Sequence, residues 1–141
     1  PGMSPFELTV ADIAATGVSP DIHPMEHVRA ALDRAGVVPA DRLLAERDGK
    51  RIRVAGVVTH RQRPATASGV VFFGLEDETG LINVTVTPGL WRRHRTVART
   101  ARALVVRGLI RNANGVANLS ADLIEALPVG ELLSAGSRDF R

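Results

Sequence analysis

The 141-residue chain has no cysteine and no tyrosine, a single tryptophan and a single lysine, Lys50. Without cysteine there is no disulfide, thiolate nucleophile, iron–sulfur cluster or cysteine-held zinc. Lys50 stands beside a glycine turn, where it reads as a solvated loop residue and not as a covalent catalyst. No glycine-rich phosphate loop is present. No run of 18 uncharged apolar residues and no basic-then-apolar leader occurs, so the sequence predicts neither a membrane span nor a secretion signal and reads as cytoplasmic. Nothing precedes Pro1-Gly2-Met3 as an initiator, and the chain reads as a piece excised from something longer. At 45% hydrophobic and 23% charged residues it has the composition of an ordinary globular domain.

Acidic residues are scarce where basic ones are dense. The net charge is only +3, and 17 of the 18 basic groups are arginine. Residues 1–50 carry −3, residues 51–111 carry +8 and residues 112–141 carry −2. A central segment with eleven basic and three acidic groups is the electrostatic mark of a surface that faces a polyanion.

The periodicity divides the chain into a helical segment (1–48), a β domain (49–127) and a tail (128–141). Ser4-Pro5-Phe6-Glu7 is a capping box that predicts a helix to Gly17. A second helix starts at His23-Pro24, with Met25, Val28, Leu32 and Ala35 on one stripe and Gly36 ending it. A short third covers Asp41 to Arg47. None is stable alone, so these helices should pack on the β domain downstream or on a neighbouring domain. From Asp48-Gly49 the period becomes two. Strands are predicted at Arg51 to His60, Val70 to Glu76, Leu81 to Thr87, Arg102 to Arg111 and Val116 to about Ile124, with a helix at Leu90 to Ala98. Three strands, a helix and two more strands form the pattern of a mainly β, five-stranded Greek-key barrel of the OB type.

Two patterns suggest metal chemistry and fail on geometry. Glu76-Asp77-Glu78 alternate in direction along a strand, so they cannot converge on one Mg²⁺, and a strand-to-turn boundary explains them. His23-Pro24-Met25-Glu26-His27 has metalloprotease spacing, but Pro24 pushes His23 out of helical geometry and spoils the ligand pair. No catalytic or metal-ligating residue is assigned.

What is present is arginine interleaved with aromatic rings. His60 ends the first strand and Arg61 and Arg63 stand in the loop after it, Arg92, Arg93 and Arg95 surround Trp91 on the helix, and Arg51 and Arg53 share one strand face. Arg107 extends the basic surface. Guanidinium groups pair with phosphates and aromatic rings stack on bases, which is what a single-strand groove requires. Strand parity places Val71, Phe73 and Leu75 inside the barrel and Phe72 outside, as a stacking ring or a plain surface aromatic. Trp91 reads as packed on the barrel. For such a groove to form, the barrel must gather these guanidiniums into one cationic trough.

His60-Arg61-Gln62-Arg63-Pro64, then Gly69 to Gly80 (Gly-Val-Val-Phe-Phe-Gly-Leu-Glu-Asp-Glu-Thr-Gly) and Asn83-Val84, resemble the C-terminal OB domain of bacterial error-prone C-family DNA polymerases. Ala15-Thr16-Gly17-Val18 and His23-Pro24-Met25 are similar to the segment before that domain, and Gly136-Ser137-Arg138-Asp139-Phe140-Arg141 to the C-terminus of actinobacterial members. The resemblance implies a parent DNA-directed DNA polymerase in damage-induced translesion synthesis, whose catalytic aspartates and Mg²⁺ lie outside this chain. Residues 1–48 would then be linker from the polymerase body. It also implies single-stranded DNA, a Y-family-polymerase-like adaptor and a RecA-like protein as partners, a sliding clamp reached only through the adaptor, and a nucleoid location. Members commonly carry lysine where Ser68 stands, so this loop lacks one backbone contact. Two functions are compatible with this: a non-catalytic module that contacts single-stranded template, or a docking domain for the accessory proteins with little DNA binding.

Overall fold

A computed structural model describes residues 24–64 and 68–127. The helix predicted from Ser4, His23 of the histidine motif, part of the first loop and the tail lie outside the described residues. Helix α1 (Pro24–Arg34) begins at the proline and stops at Gly36, whose φ of +79° suits a residue without a side chain. It buries Met25, Val28 and Leu32, with Val37, against Ala55, Ala103, Val105 and Leu127 on the outside of the barrel. Met25, Val28 and Leu32 of the predicted stripe thus pack on the β domain itself, whereas Ala35 lies past the helix end and is exposed.

The short helix predicted at Asp41 to Arg47 is instead a 3₁₀ turn, Ala40–Ala45, with no side-chain N-cap. Without a side-chain cap the segment takes the tighter turn, which suffices to drive Leu43 into the core.

Five strands make up the barrel: β1 (Arg51–Gln62), β2 (Val71–Asp77), β3 (Gly80–Val86), β4 (Ala103–Ala113) and β5 (Val116–Ala126). They close in the order β1-β2-β3-β5-β4, with β3 and β5 parallel and every other pair antiparallel. This is the expected OB barrel. Strand β1 belongs to both halves, pairing with β4 from Arg51 to Val57 and with β2 from Val57 to Gln62. The corner is at Gly56, where a Cβ would stand 2.9 Å from the backbone N and O of Glu76. A bulge between Val58 and His60 then shifts the register, and β1 runs two residues beyond its predicted end. Val71, Phe73 and Leu75 face inward as parity requires, and with Ile82, Leu104, Ile110 and Leu119 they form the core. Burial of each such side chain contributes about 1.5–3 kcal/mol.

Two helices span the gap between β3 and β4, where one is predicted. Helix α2 (Pro88–Arg93) has proline in its first turn and Thr87 as N-cap, whose hydroxyl accepts from the Leu90 amide at 3.3 Å. His94 leaves helical geometry (φ −112°, ψ 23°), and α3 (Arg95–Thr100) restarts after it. Leu90, Trp91 and Ala98 seal this end of the barrel.

The β2–β3 turn is fastened by carboxylates. Asp77, only 2% exposed, accepts through Oδ1 from the Thr79 amide (2.8 Å), the Thr79 hydroxyl (2.7 Å) and the Gly80 amide (3.1 Å), and through Oδ2 from the Ala40 amide (2.8 Å). Arg29 of α1 donates to Glu78 at 2.6 and 2.9 Å. Asp77 therefore fastens the turn, and with Glu78 it ties α1 and the 3₁₀ segment to the barrel. Among the described residues no three histidine or carboxylate side chains gather around a possible metal position, and no helix is long and apolar enough to cross a membrane.

Candidate nucleic-acid interface

The ten residues singled out in the sequence fall into three groups. The first is a ring pair on the outer face of β1 and β2. The bulge turns His60 and Gln62 outward, opposite Gly74 and Phe72. The His60 imidazole lies against Gly74, in the space a Cβ would fill, with Nδ1 3.1 Å from the Thr59 hydroxyl. Phe72, half-buried, pairs across the ladder with Thr85, whose hydroxyl accepts from Asn118 Nδ2 at 2.9 Å. The result is a shallow surface of two rings bordered by amide and hydroxyl groups, which suits stacking and hydrogen bonding to unpaired bases.

The second group is the basic end formed by the close of β1 with α2 and α3. Arg61 behaves differently from its neighbours. Its Nε donates to the Ala98 carbonyl and its Nη2 to the Ala101 carbonyl, both at 2.6 Å, and its guanidinium carbon lies 6.0 Å from the centre of the Phe73 ring. Burial lowers its pKa from the ordinary arginine value. Arg61 therefore caps the C-terminus of α3, where the helix dipole favours a cation, and joins β1 to the helix pair. Trp91 meets the far side of this assembly, edge-on to Phe73 at 6.0 Å between ring centres. Around it Arg63, Arg92, Arg93 and Arg95 are exposed, and none has an acidic partner among the described residues.

The third group lies at the other end of β1. Arg51 and Arg107 both bond Asp122 through Nε, at 2.9 and 2.6 Å, and Arg53 stands directly opposite Arg107 in the ladder. Burial pushes the Asp122 carboxyl up, but hydrogen bonds and charge from Arg107 and Arg51 outweigh it and hold the pKa below the ordinary value. Eight residues of β1 separate Arg53 from Arg61, roughly 25 Å of strand. The single cationic trough expected from the sequence is thus two separate basic regions, and two of their guanidiniums share one carboxylate.

Sequence reasoning missed four contributors. Arg29 and Asp122 act across 49 and 71 positions, a separation that no local pattern reveals. Arg99 and Arg102 add exposed charge beside the α3 terminus. Their signal was available: from Thr79 through Ala121 the chain has seven arginines and no acidic residue.

Residues 52–127 match the family model described as an OB-fold nucleic acid binding domain. Along its whole length the chain is 66% identical to part of the error-prone DNA polymerase of Corynebacterium efficiens and 55% identical to part of that of Mycobacterium tuberculosis. It spans 13% of the length of either relative. Among solved structures it is similar to asparaginyl-tRNA synthetase from Pyrococcus horikoshii, with a TM-score of 0.53 and 23% identity over 63% of this chain and 22% of that one, a likeness of fold.

Proposed function

Because the chain belongs to the OB-fold nucleic acid binding domain family, we propose that its barrel holds single-stranded DNA, without catalysing any reaction, as part of an error-prone DNA polymerase. One observation carries the reading: exposed Arg63, Arg92, Arg93 and Arg95 cluster at the barrel end without acidic partners among the described residues, close to where His60 and Phe72 share the outer face of β1 and β2 at neighbouring ladder positions. Phosphates meet the arginines and bases lie on the rings, an arrangement that favours no sequence because every base has a stacking face. In the parent enzyme this would steady unpaired template during synthesis across damage, with Mg²⁺-dependent chemistry in another part of the polypeptide. An adaptor resembling a Y-family polymerase, a RecA-like protein and, through the adaptor, a sliding clamp complete the proposed setting, on the bacterial chromosome in the cytoplasm.

Fluorescence anisotropy with labelled oligo-dT tests this. Four to five phosphate contacts predict an affinity that falls about fifty- to a hundredfold between about 50 and 200 mM salt. Replacing Arg63, Arg92 and Arg95 with alanine together should remove most of that dependence. Undetectable binding at low salt, or binding indifferent to the triple substitution, overturns the reading and favours the docking function.

A further inference from the structure

Taking its ligand class from the function just proposed, the geometry points to a second phosphate-binding site, a groove at the start of β1 where Arg51, Arg53 and Arg107 converge and which takes a phosphodiester outside the footprint of the basic end. The groove has a volume of about 300 Å³ and is lined, besides the three arginines, by Ile52, Ala35 and Gly36. It lies away from the two-ring surface.

Three features make it a built site. The backbone of Arg53 is held on both flanks, by Arg107 across the ladder and by the segment after α1, where Val37 bridges to it and the Val38 amide donates to its carbonyl at 2.8 Å. Asp122 uses one oxygen for each of Arg51 and Arg107 and takes only their Nε protons, so the terminal amino groups of both stay available. Two long side chains that would otherwise sample many rotamers are thereby already oriented. Finally, Arg53 and Arg107 are like charges in direct register, an unfavourable pairing, and the cluster of three guanidiniums has Asp122 as its acidic partner among the described residues. An anion between them relieves that repulsion, and a phosphate accepts from several guanidinium donors at once.

The test uses the whole 141-residue chain and two oligo-dT probes, one of about 8 nucleotides, within the span of one OB barrel, and one of about 30. Arg53→Ala is expected to weaken binding of the long probe about fivefold and to reduce its salt slope by about 0.7, while leaving the short probe unchanged. Arg53→Gln, which keeps the stem but not the charge, should do the same. Arg42→Ala removes the same charge from a different groove and should change neither probe. If Arg53→Ala and Arg42→Ala behave alike on the long probe while the triple substitution at the basic end weakens both probes, the groove is not a phosphate site and the proposed function stands. If the unsubstituted chain binds neither probe, that function falls and the groove with it.

Discussion

Arg61 and Arg63 are two residues apart and chemically identical, yet the structure gives them opposite work, and replacing each with alanine should separate stability from binding. Arg61→Ala deletes two hydrogen bonds of 2.6 Å to the last carbonyls of α3 and a cation over Phe73. Because the side chain is partly solvated, each bond is discounted below the charged-donor range to about 1 kcal/mol, and the helix-end charge adds about 0.3 kcal/mol or somewhat more. The loss is about 2 kcal/mol, or about 8 °C in Tm for a domain of this size. Arg61→Lys should recover about half, since one ammonium reaches one carbonyl well. Arg63→Ala should leave Tm within about 1 °C and instead lower the salt slope of oligo-dT binding by about 0.7. Calorimetry and anisotropy on the same preparations measure both quantities. An Arg61→Ala chain with unchanged Tm and a slope reduced like that of Arg63→Ala would mean that Arg61 contacts phosphate and that the helix-capping account is wrong.

Two further outcomes rest on the packing. Gly56→Ala should cost about 3 kcal/mol or prevent folding, because the new methyl meets backbone atoms of Glu76 that cannot swing aside, and chemical denaturation measures the loss. The Asp122 contribution should be present above the ordinary carboxylate pKa of about 3.9 and fade as the pH falls through the depressed folded value. Asp122→Asn should therefore narrow its stability gap to the unsubstituted chain as thermal melts are taken from about pH 6 down to pH 3.

Much of the architecture is legible along the chain. Alternation in Val71, Phe73 and Leu75 reports which face of β2 is buried, and Gly56 marks the corner of β1, because strand geometry imposes a period of two and a close approach excludes a side chain. The interface is less legible, and one displaced residue explains why. Counting by twos from Arg51 and Arg53 assigns Arg61 to the same outer face, but the bulge between Val58 and His60 exchanges the faces, turning His60 and Gln62 outward and Arg61 toward the helix pair. Nothing in the local sequence announces that bulge. The sharing of Asp122 between Arg51 and Arg107 depends on β5 passing beside β4, a consequence of closure and not of neighbouring residues.

The clasp of α1 on the barrel wall has a mechanical consequence. With Met25, Val28 and Leu32 sunk in the seam and Arg29 forked onto Glu78, the helix is a rigid handle and not a swivel. Torque or tension that reaches residue 24 turns the whole barrel as one body, so the bearing of its basic end is set through the helix seam.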